Sequence, residues 1–207
     1  MITHTGRLHQ LFFPSLVWKM DSPSIFLTFD DGPHPVATPT VLNILKSYNI
    51  KATFFLSGNA VGKNQSIVKE IAAEGHSIGI HAYNHSRTIA FSKNETMREI
   101  LQTKQEIEKI VPFTSNIFRP PFGFFSWKTI SAARAQNYRL IMWTTLTGDF
   151  RENWSNERIV TTALTKLTKG SILVFHDNEL TKSRIASILP ETITRIQDLG
   201  FTFQAIT

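Results

Sequence analysis

Residues 24–33 read Ser-Ile-Phe-Leu-Thr-Phe-Asp-Asp-Gly-Pro, and they carry the first strong structural pattern of the chain. The apolar, β-forming run from Ser24 to Phe29 predicts a buried strand, and Gly32-Pro33 predicts a turn after it. Two carboxylates, Asp30 and Asp31, therefore lie where the predicted strand ends.

The same unit of a strand followed by a helix repeats along the chain. Seven strands are predicted, at residues 24–29, 51–56, 77–80, 117–119, 139–143, 171–175 and 201–205. Helices are predicted between them, at residues 38–48, 66–74, 95–111, 126–136, 155–169 and 183–199. This alternation is typical of an α/β fold, in which parallel strands are joined by helical crossovers. The pattern fits either an open doubly wound sheet or an incomplete (β/α) barrel.

Composition excludes several classes of site. The chain has 207 residues, a formal net charge of +6 and no cysteine. The lack of cysteine excludes disulfide frameworks, zinc fingers, iron–sulfur clusters and cysteine nucleophiles. Lysines and arginines are interspersed with acidic residues, so the basic charge favours an ordinary basic domain with no nucleic-acid partner.

The N-terminal region is expected to form an arm of residues 1–23, followed by one domain of residues 24–207. Residues 9–19 are partly apolar, but Pro14 interrupts them and no small-residue cleavage site follows, so we expect no signal peptide. No apolar run approaches the ~18 residues of a membrane span. The sequence as given predicts a cytoplasmic protein, with a cell-envelope or secreted location as the alternative.

Polar side chains follow five of the predicted strands, close to the point where each strand ends. They are, in chain order, Asp30, Asp31, His81, His85, Arg119, Asp149 and His176. Both alternative folds bring the carboxyl ends of their strands to one rim. Because unpaired charges are costly to bury, we expect these groups to meet there in a single working site.

The residue types at this rim indicate a metal and an acid–base pair. His81 and His85 are four residues apart, which on a helical turn places both imidazoles on one face, close enough to share an ion. Neighbouring strand residues point to opposite sides, so one of Asp30 and Asp31 could bind a metal while the other acts as a base. One carboxylate and two imidazoles are found in catalytic zinc sites and in non-haem iron oxygenases, so the ligand set leaves the reaction open.

Five segments, taken in order, resemble the motifs of the polysaccharide deacetylases, which form carbohydrate esterase family 4 and share the NodB homology domain. The segments are Thr-Phe-Asp-Asp-Gly at 28–32, Gly75 to His85, Arg-Pro-Pro-Phe-Gly at 119–123, Asp-Phe at 149–150 and Ile-Leu-Val-Phe-His at 172–176. The resemblance implies a distorted, incomplete (β/α) barrel of about seven parallel strands, with residues 24–207 as the catalytic domain. It also implies removal of acetyl groups from N-acetylglucosamine-type residues of an oligo- or polysaccharide, so the expected partner is an N-acetylated sugar.

The resemblance assigns Asp31, His81 and His85 as the ligands of one divalent metal ion. It favours Zn²⁺, and Co²⁺, Ni²⁺, Mn²⁺ and Fe²⁺ are alternatives. An amide is a poor electrophile, and a bound metal polarises its carbonyl and acidifies water.

The resemblance assigns the acid–base roles to four further residues. Asp30 corresponds to the general base and Arg119 to the residue that orients it. His176 corresponds to the general acid, which protonates the departing amine, and Asp149 to the partner that keeps its imidazole charged. An iron oxygenase has no evident need for such an acid and base.

Three apolar residues, Phe122, Phe150 and Val174, are expected to bind substrate around the acetyl group. The family usually has Trp and Leu in place of Phe150 and Val174, so the apolar pocket is expected to differ in volume. Phe122 replaces a common Tyr and is expected to contribute a backbone N–H to the oxyanion, which this change leaves in place. Ile80 stands where Asn is frequent, which changes the surroundings of His81. Two alternatives remain: a deacylase of a non-carbohydrate amide using the same site, and a carbohydrate-binding relative without catalysis.

Overall fold

A computed structural model describes residues 3–113 and 115–207 of the chain. Within these residues seven strands form one sheet in the order β5-β4-β3-β2-β1-β7-β6, and every pairing between them is parallel. The strands are β1 (Phe26–Asp30), β2 (Thr53–Leu56), β3 (Ser77–Ile80), β4 (Ile117–Phe118), β5 (Arg139–Leu140), β6 (Thr145–Leu146) and β7 (Ile172–His176).

Eight α-helices occur in the same part of the chain, most of them in the crossovers between strands. They are α1 (Arg7–Phe12), α2 (Ala37–Ser47), α3 (Gly58–Lys63), α4 (Gln65–Ala73), α5 (Lys93–Glu108), α6 (Trp127–Ala135), α7 (Asn156–Leu164) and α8 (Ile185–Asp198). Short 3₁₀ helices cover Arg87–Phe91 and Pro121–Gly123. Among the described residues, no helix combines the length and the hydropathy that crossing a bilayer requires.

The sheet is curled into a half-barrel, because the chain passes directly from one edge strand to the other. β5 and β6 lie at opposite edges of the sheet, yet only residues 141–144 connect them. The five Cα–Cα steps from Leu140 to Thr145 span at most about 18 Å, so the two edges must lie near each other. The expected incomplete barrel of parallel strands is confirmed, and the open doubly wound sheet is excluded.

The N-terminal segment lies along this connection. The Val17 N–H donates to the Leu140 carbonyl (2.9 Å), and the Val17 carbonyl accepts from the Met142 N–H (2.8 Å). Further along, the Thr5 N–H donates to the Thr144 carbonyl (3.0 Å). Residues of the predicted arm therefore form backbone hydrogen bonds with the segment that connects the two edges of the sheet.

The central strands are buried on both faces, as parallel strands covered by helices must be. All residues of β1 and β2 are buried, and so are the first four of β7. Phe29 stacks on Phe54 with ring centroids 5.1 Å apart and on Phe175 at 6.1 Å. These apolar contacts fix the strands whose ends carry the polar residues.

Several predicted elements differ from the structure. The predicted strand at 201–205 is wrong: Phe203 forms a single bridge to Ile25, just before β1 begins. The apolar alternation there is real, but the segment packs beside the sheet without forming a ladder. The seventh strand is instead β6, and the predicted strand at 139–143 ends at Leu140. Helix α3 was not predicted, and α7 ends at Leu164, before the predicted Lys169.

The packing of β3 against its neighbours generates a stability prediction. A Cβ atom at Gly79 would lie 2.6 Å from the Phe55 ring and 3.0 Å from Ile117 Cγ1. Gly79→Ala is therefore expected to lower the free energy of unfolding by about 1–3 kcal/mol, measured by urea denaturation. The control is Gly62→Ala in α3, where the nearest neighbouring atom is 4.0 Å away. Helix propensity predicts an unchanged or slightly raised stability there, and equal losses in both variants would contradict this packing.

Candidate active site

The register of the sheet brings the predicted polar residues to one rim. Asp30 is the last residue of β1 and lies directly opposite His176, the last residue of β7. His81 follows β3 at once, and Arg119 follows β4. Parallel strands present their carboxyl ends at the same edge, so the predicted convergence of these segments is observed.

Asp31, His81 and His85 form a tight cluster. Asp31 Oδ1 lies 2.9 Å from His85 Nε2 and 3.4 Å from His81 Nε2, and one ligand atom from each of the three residues lies within 4.8 Å of the others. Burial alone would raise the pKa of Asp31, but the close imidazoles of His81 and His85 and the charge of His176 hold the pKa well below its usual value. The cluster is thus a carboxylate facing two imidazole nitrogens.

This cluster fits a divalent metal ion. Asp31 Oδ1 is buried, and no well-formed hydrogen bond from a described residue reaches it. His81 Nδ1 lies 2.9 Å from the Arg119 carbonyl, which can only accept, so Nδ1 donates to it and Nε2 is the ring nitrogen that faces Asp31. Metal-binding histidines are commonly held in this way by a hydrogen bond at the other ring nitrogen. The donor set and its arrangement therefore suit a zinc-type ion.

The loop between the two histidines differs from the prediction. His81 and His85 do not lie on a helical turn: residues 81–86 form an irregular loop in which Ala82 (φ 62°) and His85 (φ 52°) are left-handed. Glu99 of α5, which sequence analysis did not identify, holds this loop. Its Oε2 accepts from the backbone N–H groups of Tyr83 (2.8 Å) and Asn84 (2.7 Å), and the carboxylate is buried.

Arg119 and Asp30 form a buried ion pair. Arg119 Nη1 donates to Asp30 Oδ1 and to Thr28 Oγ1, both at 2.7 Å, and the Arg119 side chain is fully buried. Its Nε and Nη2 donate to the carbonyls of Ile141 and Met142, each at 3.0 Å. The guanidinium is thus held on several sides, and it fixes the orientation of the Asp30 carboxylate.

His176 and Asp149 form the second pair. His176 Nδ1 lies 2.8 Å from Asp149 Oδ1, and the His176 backbone N–H donates to Asp149 Oδ2 (2.6 Å). Burial would lower the pKa of His176, but Asp149, with smaller contributions from Asp31 and Asp30, raises it to about 10. The imidazole is therefore held protonated at neutral pH, with Nδ1 committed to Asp149.

Part of this site lines one cavity of about 420 Å³, whereas Arg119 and Asp149 lie behind Asp30 and His176 and do not line it. Its walls include the three cluster residues, Asp30 and His176, and the apolar side chains of Phe122, Trp143, Leu146, Phe150 and Leu180. Of the predicted substrate-binding residues, Phe122 and Phe150 line the cavity. Val174 is fully buried in β7 and does not line it, whereas Leu146, its register partner in β6, does.

Asn178 is a further residue that sequence analysis missed. Its Oδ1 accepts from the Leu180 N–H (2.9 Å), which leaves Nδ2 to donate to Asp31 Oδ2 (2.7 Å). One oxygen of Asp31 is therefore fixed by an amide while the other faces the imidazoles. Asn178 lies two residues after β7, so the rule that found the other rim residues could have found it.

Comparison with known proteins agrees with this geometry. The family model described as Polysaccharide deacetylase matches residues 19–141, more than half of the chain. The chain belongs to the polysaccharide deacetylase family. Members of this family named as deacetylases are hydrolases of carbon–nitrogen bonds other than peptide bonds, and this chain is such a hydrolase.

Two curated members of the family differ in how much of their own length this chain covers. A peptidoglycan-N-acetylglucosamine deacetylase of Bacillus cereus is 33% identical over 186 residues, which cover 88% of this chain and 86% of that protein. The peptidoglycan-N-acetylglucosamine deacetylase PgdA of Listeria monocytogenes is 34% identical over 97% of this chain, but this chain spans only 43% of its length.

Two solved structures share the fold. The Bc1960 peptidoglycan N-acetylglucosamine deacetylase has a TM-score of 0.87 and 29% identity, and the match covers 93% of this chain and 91% of that one. BA3943 from Bacillus anthracis, named a pseudoenzyme of carbohydrate esterase family 4, has a TM-score of 0.83 and 26% identity, covering 93% and 68%. This fold is thus found with and without catalysis, so the roles of individual residues in this polysaccharide deacetylase follow from its side chains and not from the fold.

The His176–Asp149 pair generates a pH prediction. In the metal-free wild-type protein the His176 imidazole is expected to stay protonated well above pH 7, with a pKa of about 10, because Asp149 stabilises the charged ring. In Asp149→Asn the largest raising contribution is lost, and the pKa of His176 should fall far below its wild-type value, because burial is then opposed only by the smaller contributions of Asp31 and Asp30. NMR titration of the ring protons measures both values.

His76 provides the internal control for this titration. It is a buried histidine whose pKa is lowered to about 4, chiefly by desolvation, and it has no contact with Asp149. Its pKa should be the same in both proteins. A His176 pKa that does not respond to Asp149→Asn would contradict the pairing.

Proposed function

We propose that this protein is a metal-dependent N-deacetylase that removes the acetyl group from an N-acetylglucosamine-type residue of an oligo- or polysaccharide. The observation that carries the proposal is the Asp31–His81–His85 cluster in one cavity with an ion-paired carboxylate, Asp30, and a protonated imidazole, His176. Amide hydrolysis needs an electrophilic activator, a base and an acid, and this cavity contains groups suited to each task.

Asp31, His81 and His85 would hold the metal ion. When bound, a divalent ion supplies Lewis acidity, which polarises an amide carbonyl and makes water more acidic. The chain's contribution is to present the three ligand atoms: Asn178 orients the carboxylate, the Arg119 carbonyl orients His81, and Glu99 fixes the loop that carries His85. We propose Zn²⁺, which this mixed oxygen and nitrogen donor set suits.

Asp30 is the proposed general base. Its Oδ1 is engaged by Arg119, so the other carboxylate oxygen is available to take a proton from the attacking water. Arg119 keeps the carboxylate in one orientation and balances its charge, because the guanidinium cannot rotate away from its four acceptors. Asp30 is thereby positioned as a base and kept out of the metal cluster.

His176 is the proposed general acid. Its Nδ1–H is directed to Asp149, so the proton at Nε2 is the one available to an atom in the cavity. The amine of the sugar is a poor leaving group until its nitrogen is protonated. A histidine held in the charged form supplies that proton, and such acid catalysis contributes about 10² to 10⁴ in rate.

The shape of the cavity supports an acetylated sugar as substrate. Trp143, Leu146 and Phe150 form an apolar wall that suits an acetyl methyl group, and Phe150 packs edge-on to His176 with centroids 5.1 Å apart. A second, more open depression of about 340 Å³ shares Asp31, His85 and Asn178 with the first. The neighbouring space could hold adjoining sugar units, which supports an oligomeric substrate.

Acetate release tests the proposed function. The metal-stripped protein is incubated with chitin oligosaccharides, with peptidoglycan glycan fragments and with a simple N-acetylated amine, with and without added Zn²⁺. We expect acetate from a glycan only when the metal is restored. Release from the simple amide alone would favour the alternative deacylase, and binding of glycans without any release would favour the non-catalytic relative.

The variant Asp30→Asn tests whether Asp30 acts as the general base and not as a metal ligand. The amide still accepts a hydrogen bond from Arg119 but cannot take a proton, so turnover should fall by about 10² to 10⁴ while zinc content is unchanged. Asp198→Asn, an exposed substitution of the same kind, should leave both unchanged. If Asp30→Asn lost zinc in parallel with activity, the two aspartates would have been assigned the wrong way round.

His81→Ala tests the ligand set. Removal of one of three protein ligands should abolish stoichiometric zinc binding, measured by elemental analysis after equilibrium dialysis, because the remaining pair cannot hold the ion as tightly. The control His34→Ala removes a histidine that pairs with Glu179, outside the cluster, and should bind zinc like the wild type. Retention of one zinc per chain in His81→Ala would refute the ligand assignment.

A further inference from the structure

Arg87 lines the same cavity and has no role in the proposed chemistry. It stands two residues after His85, at the start of the 3₁₀ helix Arg87–Phe91, and it is exposed. Among the side chains that the structure describes, none forms an ion pair or a hydrogen bond with its guanidinium. A permanent positive charge is thus available at the opening of the site.

One face of the Arg87 guanidinium stacks on the Phe122 ring, and the N–H groups at its edge are not used by this contact. Arg87 Cζ lies 4.4 Å from the centroid of the Phe122 ring, and that ring packs on His85 with centroids 4.5 Å apart. Stacking on an aromatic face uses the plane of the guanidinium, while its N–H groups point outward in a fixed fork. Such a fork matches the two oxygens of a carboxylate.

The cavity itself supplies no anion for Arg87. The carboxylates that line it are Asp30 and Asp31. Asp30 is engaged by Arg119, and Asp31 faces the two imidazoles and Asn178. The positive charge beside Phe122 is therefore left for a group that the substrate brings.

We propose that Arg87 is a specificity-determining residue that binds a carboxylate on the substrate, close to the acetamide that is hydrolysed. The inference rests on the proposed function and narrows its substrate class to acidic N-acetylated glycans. The carboxylate can come from an ether-linked lactyl group on a neighbouring amino sugar or from a neighbouring uronic acid. Both sources present the same planar anion to the guanidinium.

Two pairs of substrates test the proposal. One pair is a tetrasaccharide of alternating N-acetylglucosamine and N-acetylmuramic acid and its carboxyl methyl ester; the other is an oligosaccharide of alternating N-acetylglucosamine and glucuronate and its methyl ester. For the zinc-loaded wild type we expect kcat/KM to be higher for the acid than for the ester by about tenfold, the size of one charge-assisted hydrogen bond. The pair that shows the preference identifies the source of the carboxylate.

Arg87→Gln should remove the preference by lowering kcat/KM for the acid and leaving the ester unchanged, and Arg87→Lys should restore part of it. The matched control is Arg158→Gln, which removes another arginine stacked on an aromatic ring, 4.1 Å from the Trp154 centroid and outside the cavity. That variant should keep the wild-type preference. Equal kcat/KM for acid and ester in both pairs, or an unchanged preference in Arg87→Gln, would overturn the proposal.

A binding measurement separates this proposal from the proposed function. If no glycan releases acetate, the function fails, and calorimetric binding of the same acids and esters still decides the role of Arg87. Tighter binding of an acid than of its ester by about tenfold, lost in Arg87→Gln, would support carboxylate recognition. Equal binding of acid and ester, or no binding of either, would refute it.

Discussion

The buried guanidinium of Arg119 connects the closure of the barrel to the chemistry of the site. It joins β1, through Thr28 and Asp30, to the 141–144 segment that links the two edge strands. A charge in such a position is very costly unless it is paired and fully hydrogen-bonded, and breaking such a pair costs about 3–5 kcal/mol. Its face also stacks on Phe55, 4.1 Å from the ring centroid. The ion pair with Asp30 that compensates the buried charge of Arg119 is therefore also the interaction that orients the proposed base.

The backbone at the end of β1 gives two adjacent aspartates different surroundings. Asp30 is still in the strand and faces the buried cation, whereas Asp31 has a φ of 80° and leaves the strand direction. Asp31 then meets His81, His85 and the amide of Asn178. One carboxylate is paired with a permanent cation and the other with imidazole and amide nitrogens, and these different partners distinguish the proposed base from the proposed metal ligand.

Much of this arrangement could be predicted from sequence, because strand ends are local features. The strand at 77–80 was predicted with the bounds the structure has, and the polar residues that follow the predicted strands were expected at one rim. Strand β6 could not be predicted, since Thr145-Leu146 lies among other threonines with no apolar run to indicate a strand. The loop of His81 and His85 depends on Glu99, which reaches it only once α5 has docked. Arg87 is a similar case: its place beside Phe122 depends on how two loops fold together.

The proposed chemistry requires one cation held by Asp31, His81 and His85, with Asp30 and His176 free of it. Anomalous diffraction at the zinc absorption edge, on crystals of the zinc-loaded protein, tests this most directly. We expect one anomalous peak bounded by Asp31 Oδ1 and the Nε2 atoms of both histidines, at about 2.0–2.2 Å from each. A peak elsewhere, or one coordinated by Asp30 in place of Asp31, would contradict it.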